Sequence, residues 1–295
     1  MRLLIANPNT TQAMTDGLER TAKAIAAPGV EIMARTAPRG FPYISTIAEA
    51  QISGVVAMEM IAEAAPEIDA AIVAAFGDPG LKAARQAFDF PVIGMAEAAI
   101  QTANLLGERF AIVTFAPRMR GWFTDQVHAT GLAGRFAGVR TPESDDIDIA
   151  KVGPAMADEL AKLVRLAAEE DGADVVILGG APLAGVAHEI RDAAPAVLID
   201  PIAAAVKLAE ALVALAPAGA NKGRFARPPG KPSTGLDPVL AKWMARRSGW
   251  RATTAHRRRH CPPLPMGPAD ARLYLDRARV SSARQDAETP GSGAE

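Results

Sequence analysis

A chain of 295 residues, 49% apolar and 22% charged, can hold two domains or one large one and has the balance of a globular protein. Its single cysteine, Cys261, excludes an intrachain disulfide, and no apolar run reaches the roughly 18–20 residues that a membrane-spanning helix needs. The formal net charge of −1 hides two unlike parts: residues 222–295 hold 15 Lys and Arg against 6 Asp and Glu, whereas residues 1–221 hold 17 against 27.

In chain order, the apolar run 3–6 reads as a first strand rather than a secretory leader, so a cytoplasmic location is expected. Asn7-Pro8-Asn9-Thr10 turns the chain, 11–26 has helical spacing, 30–34 is strand-like, and 47–64 is a long helix. The run 70–75 reads as a central parallel strand, and Pro79 marks a helix start, where its missing N–H costs nothing. A short strand at 92–94 leads into a helix at 96–106. The order then repeats. Strands are expected at 110–114, 136–139, 175–178 and 197–199, with helices at 118–129, 149–169, 183–192 and 202–215. Residues 218–236, which contain Arg227-Pro228-Pro229-Gly230-Lys231-Pro232, read as an extended strap. From about Arg246 onward no periodicity supports a core, and the sequence reads as a basic tail without a fold.

The repetition extends to the residues. Ala74-Ala75-Phe76-Gly77-Asp78-Pro79-Gly80-Leu81 and Gly179-Gly180-Ala181-Pro182-Leu183-Ala184-Gly185 each follow a buried-strand pattern that opens with Asp, 105 residues apart. At that same shift Arg35-Thr36 matches Arg140-Thr141, and Pro91-Val92-Ile93 matches Ala196-Val197-Leu198. A fixed-offset repeat implies two similar halves. The expected fold class is α/β, with two pseudo-symmetric domains, each a short, mostly parallel sheet flanked by helices, and a ligand cleft between them. The first half takes residues 1–95 plus about 203–240, the second takes 96–202, and the tail is 246–295.

Ligands in such sheets sit at the carboxyl ends of the strands, here Asn7–Thr10, 75–80, 114–117 and 180–185. Loops that run into helix N-termini favour a carboxylate or an imide, and glycines let backbone approach it. Asp78 is either a cap for the helix at Pro79 or a base, and His188 falls on the polar face of its helix. No Cys/His ligand spacing, P-loop or full dinucleotide fingerprint is present, so neither metal nor cofactor is expected.

At Asn7-Pro8-Asn9-Thr10-Thr11, Phe76-Gly77-Asp78-Pro79-Gly80 and Leu178-Gly179-Gly180-Ala181 the chain resembles the aspartate/glutamate racemase superfamily, most closely its hydantoin and allantoin racemase branch. The resemblance covers residues 1 to about 240. It implies a cofactor-independent protein that holds substrate oxygens through loop amides and the first-strand asparagine. The ligand-binding positions expected on this basis are Asn7, Ile44, Ala75, Phe76, Gly77, Thr114, Gly180, Ala181 and Pro182. The family uses two cysteines, one on each face of the substrate carbon, because one base cannot easily serve both faces. Those positions are Ala75 and Gly180 here, and Ser45 stands where a glutamate is expected. Asp78 is then the nearest replacement base.

The expected function is that of a racemase- or isomerase-like protein acting on a small amino-acid-derived compound without the two-cysteine mechanism. The alternative is a non-catalytic ligand-binding or accessory protein of the hydrogenase-expression type on the same scaffold. The expected partner is a small molecule, with homo-oligomerisation left open. The basic tail lacks the aromatic interleaving of a nucleic-acid module, so nucleic acid is not the expected partner.

Overall fold

In the computed structural model of this chain, residues 1–144, 152, 156–215 and 223–245 are described. The first sheet joins β1 (Arg2–Asn7), β2 (Glu31–Thr36), β3 (Ala70–Val73) and β4 (Val92–Gly94) in the order β2-β1-β3-β4, with every pairing parallel. The second joins β5 (Phe110–Val113), β6 (Phe136–Arg140), β7 (Val175–Leu178) and β8 (Val197–Ile199) in the order β6-β5-β7-β8, also parallel throughout. The central strands β3, β5 and β7 are buried along their whole length. Continuous apolar strands of this kind need helices on both faces.

The helices supply that cover. They are α1 (Gln12–Ile25), α2 (Ile47–Ala64), α3 (Leu81–Ala87), α4 (Met95–Leu106), α5 (Arg120–Ala129), α6 (Ala157–Glu169), α7 (Val186–Glu189), α8 (Pro201–Leu215) and α9 (Pro238–Met244). The helix after the last strand of each sheet crosses over: α4 packs on β7 and β8, and α8 packs on β3 and β4. The two crossing helices also pack on each other.

The repeated aspartates have a shared task at the far end of the sheets. Asp69 Oδ2 accepts the Arg2 N–H at 2.7 Å. Asp174 Oδ2 accepts the N–H groups of Glu108 and Arg109 at 2.9 and 3.0 Å. Each carboxylate thus ties the start of β3 or β7 to the strand beside it.

Three expectations change. α3 begins at Leu81 rather than at Pro79, because Gly80 takes a left-handed conformation (φ 75°) at the N-cap. Gly80 must lie there against Gly54 of α2: a Cβ on Gly54 would come within 2.8 Å of the Gly80 nitrogen. The expected helix 183–192 is broken into a 3₁₀ turn (Ala181–Leu183), the single-turn α7, and a second 3₁₀ turn (Arg191–Ala193). Gly185, left-handed at φ 91°, causes the break. The chain after the strap returns as α9, whose N-cap Asp237 accepts from Val239 and Leu240 ahead of Pro238 at the first turn. Helix α6 is described from Ala157, so the earlier part of the expected helix 149–169 falls mostly outside the described residues. The expected tail 246–295 lies wholly outside them.

The described part of the strap, residues 223–236, forms no helix or strand and is anchored at the C-terminus of α3. Arg227 and Trp243 both donate to the Ala87 carbonyl, at 2.7 and 2.9 Å. Arg227 also pairs with Asp89 at 3.1 Å and sits 5.2 Å from the Trp243 ring centre.

Candidate functional site

The strand orders 2-1-3-4 and 6-5-7-8 place a topological switch point beside the central strands of both sheets. At the carboxyl ends of β1, β3, β5 and β7 the loops line a narrow cleft that is partly open to solvent. Ala75 and Phe76 form part of one wall, and Gly180, Ala181 and Pro182 part of the other.

The loop after β1 is braced from inside. Asn7 is fully buried, and its side chain donates to Asn9 Oδ1 at 3.0 Å and Thr15 Oγ1 at 2.9 Å. Its own oxygen accepts the Asn9 N–H at 3.3 Å. Asn7 is therefore spent on loop geometry and is not among the lining residues. Asn9 is, and its Oδ1 also accepts the Thr11 N–H at 2.9 Å.

Ile44 lines the cleft and forms a small apolar cluster with Ala50 of α2 and Ala75, against which Trp122 packs. The neighbouring Ser45 donates through both N–H and hydroxyl to Glu49, at 2.7 and 3.2 Å. Glu49 in turn completes a capping box with Thr46 at the start of α2.

Gly77 sits behind the first wall under the edge of the Trp122 indole. A Cβ built on it would meet that ring, so only glycine fits. Asp78 turns away from the cleft. Its two oxygens accept the N–H groups of Ala96 and Glu97, at 2.9 and 2.8 Å. It caps α4, whose own N-cap is Gly94, rather than the helix that follows it in sequence. A Cβ on Gly94 would come within 2.4 Å of this carboxylate, which fills the place of a capping side chain. Burial pushes the Asp78 carboxyl up to about 7, against the lowering effect of the two amide donations; the Glu97 charge adds to the rise and Arg85 opposes it.

The second half solves the same problem from the other side. Asp200, immediately ahead of α8, accepts the N–H groups of Ile202 and Gly185, at 3.0 and 2.6 Å. Burial raises its carboxyl as well, against donations from Gly185, Ala203 and Ile202. Each half therefore ties the loop after its third strand to the helix after its fourth through one aspartate.

Thr114, at the end of β5, is fully buried, and its Oγ1 has no partner among the described residues. It is not a lining residue, but the next residue, Phe115, is. Gly180 adopts φ 134°, a conformation that favours glycine. His188 is exposed on α7, away from the lining.

Of the expected positions, the structure thus brings Ile44, Ala75, Phe76, Gly180, Ala181 and Pro182 together around one space, with Asn7, Gly77 and Thr114 just behind it. The expectation omitted Asn9, Met14, Tyr43, Phe115, Met119, Trp122 and Phe123, all of which line the cleft. Met119, Trp122 and Phe123 stand at i, i+3 and i+4 along the 3₁₀ turn (Pro117–Met119) and α5, a spacing visible in the sequence. The whole chain has 3 Trp, 2 Tyr and 9 Phe, and five of those rings meet here. The polar side chains of the lining are Asn9 and Tyr43, the latter donating to the Met119 sulfur at 2.8 Å. The backbone amides of Ala75, Phe76, Gly180 and Ala181 donate to no carbonyl among the described residues. Among the described residues no group of three or more His, Cys, Asp or Glu is placed to hold a metal, and no helix is long and apolar enough to cross a membrane.

Comparison with known proteins agrees with this architecture. The profile of the family described as Asp/Glu/Hydantoin racemase matches residues 3–209. A hydantoin racemase of Pseudomonas sp. (strain NS671) is 35% identical over 216 residues, covering 73% of this chain and 87% of that protein. A hydantoin racemase of Paenarthrobacter aurescens is 34% identical over 217 residues, covering 73% and 92%. Among solved structures, the allantoin racemase from Klebsiella pneumoniae superposes with a TM-score of 0.76 at 33% identity, covering 81% of this chain and 98% of that one.

Proposed function

The chain belongs to the Asp/Glu/hydantoin racemase family, and on that premise we propose that its cleft binds a small amino-acid-derived cyclic compound of the hydantoin or allantoin kind and acts on it without paired thiols. The observation that carries this reading is the make-up of the cleft wall. Among the described residues, the amides of Ala75, Phe76, Gly180 and Ala181, from equivalent loops of both halves, donate to no carbonyl, and no carboxylate, imidazole or thiol lines the cleft. Amides aimed at the carbonyl oxygens of a cyclic imide stabilise the negative charge that develops when the adjacent carbon loses its proton. Water then serves as the proton carrier. The family's cysteine positions correspond, on this reading, to Ala75 and Gly180, where a methyl and a hydrogen can move no proton. The framing halves are residues 1–95 with about 203–240, and residues 96–202.

A second reading, binding without turnover, is favoured by the position of Asp78. Both of its oxygens are committed to capping α4, so it has none left for a substrate proton.

Solvent-deuterium exchange followed by NMR separates the two, using the full chain and a panel of 5-substituted hydantoins, allantoin and free amino acids. Exchange at the ring carbon of one compound above the buffer rate is the expected result. Protection of the protein against heat by the same compound without exchange supports the second reading. Neither effect with any compound would remove both.

A further inference from the structure

Two faces of a bound ring would look toward Ala75 and toward Gly180, and the structure treats them differently. Ala75 carries its methyl among Ile44 and Ala50, with the partly buried Trp122 packed against that cluster. Gly180 is backed by the ring of Phe115: a Cβ built on Gly180 would lie 2.6 Å from Phe115 Cε1 and 3.4 Å from Cδ1. That ring cannot easily swing away. Phe115 is fully buried in the main core, and the Tyr43 ring stands beside it with centroids 5.9 Å apart.

We propose that Phe115 is a specificity-determining residue of this cleft, closing the Gly180 face so that only ligands flat on that side can enter. The inference rests on the reading of the cleft as the site of a hydantoin-type ring. A 5,5-disubstituted hydantoin projects carbon groups to both faces of the ring, whereas a monosubstituted one can present only its hydrogen to the Gly180 face. One with an exocyclic double bond at that carbon keeps its substituent in the ring plane, where Phe76, Trp122 and Phe123 can stack on it. Phe115 therefore selects by shape: it leaves the amide donors in place and sets which ring carbons can reach them.

The test compares two probes, 5-benzylidenehydantoin, which is flat, and 5-methyl-5-phenylhydantoin, which carries groups on both faces. Neither has a hydrogen on the ring carbon, so binding is read apart from turnover. Calorimetric titration of the full chain is expected to show at least about tenfold tighter binding of the flat probe. In F115A that preference is expected to shrink to about threefold or less, through tighter binding of the disubstituted probe. F115L, which keeps an apolar side chain, gives the same reading should F115A fold poorly, with circular dichroism as the check. Binding of both probes with a ratio unchanged by either substitution overturns the proposal and leaves the cleft assignment standing. Binding of neither probe to wild type or variants overturns the cleft assignment, and the proposal with it.

Discussion

Replacing Asp78 by Asn tests whether a buried carboxylate, borrowed from a neighbouring loop, caps α4. Asn keeps the shape and tolerates the left-handed backbone at this position (φ 48°). It supplies one accepting oxygen where the carboxylate offers two, to the Ala96 and Glu97 amides. The dependence on pH decides the matter. Burial holds the folded-state carboxyl at about 7, above its ordinary value of 3.8. Between those values the native state binds more protons than the unfolded state. The contribution of Asp78 is therefore fully present below about pH 4 and is lost as pH rises toward 7. At about 1.4 kcal/mol per pH unit, a slope that halves as the folded-state value is reached, wild type loses about 2 kcal/mol from this group between pH 5 and 7, and D78N does not. Asp200, raised in the same direction, is present in both proteins and cancels in the difference. The assay is urea unfolding of both proteins at pH 5, 6, 7 and 8. Wild type is expected to lose ground against D78N up to about pH 7 and to hold level beyond it. A stability advantage of wild type that grows or stays constant over that range would refute the reasoning. It would mean that the helix amides hold the carboxylate ionised throughout.

Three further outcomes follow from particular contacts. Gly54→Ala places a methyl within 2.8 Å of the Gly80 nitrogen; the cost is about 1–3 kcal/mol in chemical unfolding, because backbone rather than a flexible side chain must move. Thr114→Val removes a buried hydroxyl that has no partner among the described residues. The ligand-free protein should become as stable or up to about 1 kcal/mol more stable, and heat protection by ligand should fall if that hydroxyl turns to the ligand. Arg227→Ala removes the ion pair to Asp89 and the stacking over Trp243, while Trp243 still holds the Ala87 carbonyl. It should lower global stability by about 1–2 kcal/mol, and limited proteolysis should cut first within the strap.

Much of the fold is legible because its strands are buried on both faces. Runs such as Ala70–Val73 and Val175–Leu178 are apolar throughout, and the 105-residue shift between their loops announces two matching sheets. Ala75 and Gly180 stand out in the same way, since loops that follow central strands have one place to go. What the sequence conceals depends on long-range contacts. The partner of Asp78 is fixed by where α4 starts relative to the loop, not by its neighbour Pro79. Helix 183–192 has good local spacing, yet Gly185 gives its N–H to Asp200 and takes a left-handed turn, which breaks it. The hydrogen bonds by which Asn7 braces its loop, and the place of Asn9 in the cleft lining, depend on how that loop folds onto α1. The aromatic wall was open to discovery from the spacing of Met119, Trp122 and Phe123. Phe115 was not, because its role depends on Gly180, 65 residues away.

The central claim is that a small cyclic amide lies between the two sheets, on the loop amides. Backbone ¹H–¹⁵N spectra of the full chain, recorded while 5-benzylidenehydantoin is titrated in, test it most directly. Saturable shifts are expected at Ala75, Phe76, Gly77, Gly180 and Ala181 and at the Trp122 indole, with the Trp243 indole unmoved. Shifts centred on the strap or on the outer face of α2, or no shifts at all, would contradict it.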